Sequence, residues 1–185
     1  MFVLRPESAA DGPAVESLLD LCFGPNRHAK ASYRFRGGVP PVTSLSFVAE
    51  EEGTDLVGAI RYWPIRLGAA SALLLGPLAI RPDRQGRGIG RVLVFRTLAD
   101  ALALGHRLVF LVGDPAYYRR FGFEVAPRTI VMPGEQPWRL QYALLGDGRL
   151  LEAGGTLRPE RPLERPEGAD VALDQGIRYN QPVGA

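Results

Sequence analysis

Between Leu73 and Val94 the chain reads LLLGPLAIRPDRQGRGIGRVLV, and this stretch decides the fold. It opens as an apolar strand interrupted by Gly76 and Pro77, passes through a basic turn and a glycine cluster, and ends as the start of a helix. Glycines at 86, 88 and 90 let the backbone approach a ligand closely. The helix start adds unpaired N–H groups and the positive end of its dipole. Arg84, Arg87 and Arg91 crowd the same turn, where guanidinium groups meet phosphate oxygens bidentately. A polyphosphate cradle over Gln85–Arg91 is one reading. A basic, solvated helix start with glycines chosen for turn geometry is the other.

Two familiar phosphate loops fit poorly. A P-loop needs Lys and then Ser or Thr after the last glycine, and Arg91 and Val92 stand there. A dinucleotide fingerprint begins at the strand end, whereas Arg81–Gln85 separate Ile80 from the first glycine.

Working outward, the helix is expected over Gly88–Leu104, with Val92, Phe95, Ala99 and Leu102 on its core face and Arg96, Thr97 and Asp100 opposite. Gly105 stops it, and Leu108–Val112 has the length and apolar run of a buried strand. Asp114 caps a short helix that starts with Pro115, and a strand returns around Phe123–Ala126. Alternation from Trp138 to Leu144, with Arg139, Gln141 and Ala143 opposite, predicts one more strand. On the N-terminal side, Phe2–Leu4 reads as a strand, and Asp11 with Pro13 marks a helix carrying Val15, Leu18, Leu19 and Cys22 inward. Ser44–Glu51 and Leu56–Trp63 read as a hairpin around a polar turn at 52–55. Residues 24–43 suggest a short helix and a mobile loop. Beyond Gly155 the sequence is rich in Pro, Glu and Arg, and reads as a tail that is disordered or latched onto a neighbour, which admits a homodimer.

A chain of 185 residues, 46% hydrophobic and 23% charged, is one domain with a real core and a tail. Its net charge of +2, with arginines spread along the chain, argues against nucleic acid as a partner. Cys22 is the only cysteine, which excludes an internal disulfide and fits a reducing compartment. His28 and His106 lie far apart with no second metal ligand at helical spacing, so no metal is expected. The N-terminus lacks the basic patch and apolar run of a signal peptide, and no later stretch is long enough to span a bilayer. A cytoplasmic protein with no membrane partner is expected.

From Leu75 to Val125 the sequence resembles the GNAT superfamily of N-acetyltransferases. Gln85, Gly88 and Gly90 match that family's Gln/Arg-x-x-Gly-x-Gly/Ala motif. Gly76 and Pro77 fall in the strand that the family bulges just before it, and Tyr118 to Phe123 (YRRFGF) match its Tyr-x-x-x-Gly-Phe signature. The wording GDPAYYRRFGF is similar to a bacterial subgroup described as predicted acetyltransferases.

The resemblance implies an α/β (α+β) fold: a mixed central sheet with a splayed, bulged strand, flanked by helices, over residues 1–145, with 146–185 as an extension. It implies acetyl-CoA as cosubstrate, without metal, and acyl transfer to a primary amine of a small molecule or protein. The N–H groups of Leu78 and Ile80, around Ala79, would take the pantetheine arm, and Gln85, Gly86, Arg87, Gly88, Ile89, Gly90 and Arg91 the pyrophosphate. Tyr118 would protonate the leaving sulfur, with one of Tyr117 and Tyr118 facing the cofactor. Many family members carry a glutamate base on the bulged strand; here Leu73, Leu74 and Leu75 stand there. Water, Glu50, Glu51 or Asp114 remain candidates, although Glu50–Glu52 read more simply as solvated turn charges and Asp114 as a cap. The alternative is an acyl-CoA-binding regulatory protein of the same fold with weak or no turnover.

Overall fold

The computed structural model describes residues 1–53, 56–150 and 154–160. Nine strands form a mixed sheet: β1 (Phe2–Pro6), β2 (Phe47–Glu51), β3 (Leu56–Leu67), β4 (Ala70–Ile80), β5 (Leu108–Val112), β6 (Glu124–Val125), β7 (Ile130–Val131), β8 (Leu140–Leu144) and β9 (Gly155–Pro159). Spatial order runs β1-β2-β3-β4-β5-β8-β6, while β9 pairs with both β3 and β7. Among the described residues there are three α-helices: α1 (Gly12–Phe23), α2 (Ile89–Ala103) and the single turn α3 (Pro115–Tyr118). Among the described residues no helix is long and apolar enough to cross a membrane.

α2 covers one face of the sheet, where Ile89, Leu93, Val94, Leu98 and Ala101 pack on Ile60, Tyr62, Leu73, Leu75, Val109 and Leu111. The opposite face carries α1 through Val15, Leu18 and Leu19, with Cys22 at the edge of that cluster as its helical register predicts. A second cluster on that face joins Phe35, Trp63, Leu74 and Phe110 to Ile130, Met132 and Leu157.

The face of α2 is the reverse of the one its periodicity suggested. Val92, Phe95 and Leu102 are exposed and Thr97 is fully buried. The helix is apolar nearly all round, so spacing could not select a face; buried hydrogen bonding settles it for Thr97. Its hydroxyl donates to the Leu93 carbonyl at 2.8 Å and lies 2.8 Å from the Tyr62 hydroxyl of β3, so a polar group pays no desolvation penalty there.

β4 carries the irregularity expected at Gly76 and Pro77. Ile60 of β3 faces Leu78 but Tyr62 faces Leu75, so Arg61 alone opposes both Gly76 and Pro77. That extra residue is a β-bulge. On its other side β4 pairs in parallel with β5 only through Leu73, Leu74 and Leu75. Beyond Leu75 the two strands part, which opens the sheet.

α1 starts where Asp11 and Pro13 marked it, with Asp11 at the N-cap. The Asp11 carboxylate is used elsewhere: it accepts from the Ser8 amide and hydroxyl and takes both terminal nitrogens of Arg5, at 2.7 and 2.8 Å. Other expectations are corrected. Residues 24–43 hold short 3-10 turns at Pro25–Ala29 and Ala31–Phe35, with Phe35 in the core. Trp138 stands exposed on a 3-10 turn ahead of β8, and Gln141 is fully buried where alternation placed it outward, because both faces of β8 are covered. The stretch from Gly155, expected as tail, begins with β9, which docks on β3 of its own chain at Ile65–Leu67. Thr54, Asp55 and the tail from 161 onward lie outside the described residues.

Candidate active site

A cleft of about 680 Å³ opens where β4 and β5 diverge, bordered by Leu78, Ile80, Arg84–Arg91, Tyr117, Tyr118 and Arg120. Strand geometry explains its floor. Arg81 donates its amide to the Val57 carbonyl at 2.9 Å, which fixes 57/81, and by alternation 59/79, as the hydrogen-bonded pairs of β3 and β4. The N–H groups of Leu78 and Ile80 therefore point away from β3, into the gap that β5 leaves. Ala79 points its side chain to the other face and is buried under α1. It is the one expected site residue that does not border the cleft.

The rear wall is the start of α2. Gly88 is its N-cap at φ +83°, and the first amide to find a helical acceptor is that of Val92, 3.0 Å from the Gly88 carbonyl. Amides ahead of it are unused by the helix. Gly86, at φ +78°, bends the turn the same way. Gly90 has a different reason: a Cβ there would lie 2.8 Å from the Tyr117 hydroxyl. The turn is closed by Gln85, whose Nε2 donates to the Ile80 carbonyl at 3.2 Å, so its side chain ties the loop to β4.

The arginines divide. Glu51, expected as a solvated turn charge, is only 12% exposed at its side chain and pairs with Arg84 at 2.8 Å and Arg87 at 3.0 Å. The Arg84 hydrogen bond, with Arg87 beside it, holds its carboxyl below the ordinary range. A carboxylate so engaged is a poor base. Glu50 pairs with Arg5 at 3.0 Å. Arg91 forms no ion pair among the described residues and borders the cleft. Arg120, which the sequence did not single out, also borders it; its Nε donates to the Tyr117 carbonyl at 2.9 Å.

Asp114 caps α3 as expected, accepting from the Ala116 amide at 2.9 Å. Tyr117 and Tyr118 both border the cleft, contrary to the expectation that one would turn away. Their rings meet edge to face at 4.9 Å, so consecutive positions on a single turn share one wall. Tyr118 lies across Gly113, where a Cβ would come within 2.3 Å of its ring. Burial, and Tyr117 beside it, push the Tyr118 phenol above its ordinary value.

Through the splay lies a second cleft, of about 490 Å³, bordered by residues of 29–36, 74–78, 112–114 and 134–139. Leu78 and Tyr118 border both. Two cavities thus meet at Leu78, whose N–H points away from β3, and at a phenol.

The profile of the acetyltransferase (GNAT) domain matches residues 43–125. The uncharacterized N-acetyltransferase YhbS of Escherichia coli (strain K12) is 30% identical over 127 residues, covering 68% of this chain and 75% of that protein. The chain belongs to the GNAT acetyltransferases. Among solved structures, Escherichia coli YhbS in complex with CoA superposes on this GNAT enzyme with a TM-score of 0.72 at 27% identity, over 85% of this chain and 89% of the other. A GNAT family acetyltransferase from Brucella melitensis in complex with acetyl-CoA gives a TM-score of 0.64 at 28% identity, over 85% and 95% of the two chains. The bulged β4, its splay from β5 and the glycine turn into α2 are the parts of this acetyltransferase that its sequence marked. Among its described residues, no group of three His, Cys, Asp or Glu is placed to hold a metal ion.

Proposed function

We propose that this GNAT enzyme transfers the acetyl group of acetyl-CoA to a primary amine of a small molecule or protein by direct attack on the thioester, in the cytoplasm. The observation that carries the reading is the meeting of two clefts at Leu78 and Tyr118. Structures of relatives that hold CoA and acetyl-CoA support it. Acetyl-CoA supplies the acyl thioester; the chain supplies everything else.

Amides from Gly86 to Arg91, with the Arg91 guanidinium, take the pyrophosphate at the positive end of α2. Glycine at 90 fits that role, since its missing side chain leaves room beside Tyr117. The N–H groups of Leu78 and Ile80 take the pantetheine arm as an added strand and fix the reacting carbonyl at the junction. The amine enters from the second cleft. Its N–C bond forms as the C–S bond breaks, the Tyr118 hydroxyl donates its proton to the departing sulfur, and the proton that the nitrogen loses passes to water, from which the Tyr118 phenolate is reprotonated. A single thiol, Cys22, suits a reducing compartment.

A screen of amines and peptides with acetyl-CoA, read with a thiol reagent, should show amine-dependent CoA release. Tyr118→Phe should lower kcat by about 100-fold or more with CoA affinity retained. Release at the buffer rate for every amine, alongside retained CoA binding, would reduce the protein to a silent binder.

A further inference from the structure

Arg36 is the least expected residue of the second cleft. It follows the 3-10 turn Ala31–Phe35, and its guanidinium reaches the β4 bulge, with Nη2 3.4 Å from where a Cβ on Gly76 would stand. Its plane lies over Tyr33, 4.1 Å from the ring centroid. Arg27 and Arg61 nearby are each held by carboxylates: Arg27 by Glu16 and Asp20, Arg61 by Glu7 and Glu16. Arg36 has none among the described residues, and its Nε is buried without an acceptor. Trp63, whose ring centre is 5.9 Å from the guanidinium carbon, also leaves its Nε1 buried without an acceptor, but it borders a neighbouring cavity and not this cleft. A buried cationic donor with nothing to donate to is expensive unless something else brings an acceptor.

The remaining charges agree. Of the other ionic groups bordering this cleft, Arg139 and Glu135 pair with each other at 3.5 Å and Asp114 caps α3; three cations face two carboxylates, and Lys30 and Arg36 are the cations with no ion pair among the described residues. Lys30 lies over the Phe23 ring at 4.7 Å, with no carboxylate on it among the described residues.

From the proposed acetyl transfer, on which it rests, we infer that the acceptor is a small amine carrying an oxyanion, carboxylate or phosphate, which Arg36 holds while the amine reaches the junction at Leu78 and Tyr118. Span supports this. Gly76 and Leu78 are two residues apart on β4, across the bulge and so no more than about 7 Å from each other, within the reach of a molecule the size of an amino acid. Polyamines are repelled by Lys30 and Arg36.

The test is a matched panel on the full chain with acetyl-CoA: β-alanine and γ-aminobutyrate, O-phosphoethanolamine, propylamine and butylamine as counterparts without an oxyanion, and spermidine. At least one oxyanion-bearing amine should exceed its counterpart by about 100-fold in kcat/KM, and the carboxylate and phosphate arms identify the group. Arg36→Met should reduce that preference ratio by about 100-fold, chiefly through KM, and Arg36→Lys should restore part of it. Preference for spermidine, an amine without an oxyanion or a peptide N-terminus without one would overturn the inference, as would an unchanged ratio in a folded, CoA-binding Arg36 variant. Turnover of such amines would leave the acetyl transfer itself standing. A protein that binds no CoA, or releases none with any amine, would sink both readings.

Discussion

The two clefts on either side of the splay are made differently. The first draws ten of its thirteen bordering residues from Leu78–Arg91, one run of chain, and offers mostly main-chain N–H groups. The second gathers side chains from five separate stretches, between Phe23 and Arg139. A backbone cradle needs only glycines at set spacing and a helix start, so it repeats wherever the same cosubstrate is held. A side-chain cleft is free to change charge by charge, which is what an enzyme needs to choose its acceptor.

The largest effect should come from breaking the backbone half. Gly88 at φ +83° is the N-cap of α2. A residue with a side chain incurs about 1–2 kcal/mol in that conformation, and a carboxylate there adds repulsion to any phosphate. Gly88→Glu should weaken CoA binding by at least about 100-fold by calorimetry, while thermal unfolding stays cooperative. Unchanged CoA binding would remove the cradle from the site.

Gly113→Ala tests the seam between the halves. The new Cβ would lie 2.3 Å from the Tyr118 Cε2 and 3.3 Å from the Leu111 Cδ1, so the ring must move. Gln141 limits relief from the backbone, since its Nε2 holds the Gly113 carbonyl at 3.2 Å. A displacement of this kind should lower kcat by about tenfold or more, with CoA affinity nearly unchanged. Equal losses in both would assign Tyr118 to the cosubstrate side alone.

The same contrast explains what the sequence could reveal. Gly86, Gly88, Gly76 and Pro77 are residues whose backbone preferences are visible without knowing any neighbour, and with Gln85, Gly90 and the signature at Tyr118 to Phe123 they carried the turn, the bulge and the family resemblance. The role of Glu51 could not be read, because Arg84 and Arg87 lie 33 and 36 residues further along. Arg36 was invisible for the same reason: on paper it is one of many arginines beside a pair of glycines, and only the fold sets it against Gly76, with no carboxylate on it among the described residues. Thr97 looked like a surface residue until Tyr62 of β3 met it. Local conformation was legible; pairings across the chain were not.

The smallest expected effect is an absence of change, and it bears on the group the two halves share. A phenol ionises near ~10 when exposed, and burial raises Tyr118 from there. The raised value keeps the proton on through the ordinary range, and the acid is lost only as pH rises past that raised value. With saturating acetyl-CoA and a fixed amine, kcat should therefore show no alkaline decline between about pH 7 and 10, once the amine is deprotonated. Above that range the unfolded tyrosine ionises before the folded one, so stability falls as pH rises and the profile ceases to report catalysis. A decline centred near pH ~8 or 9 would point to a different proton donor, and the junction at Tyr118 would then be a wall between the clefts and not the place where they react.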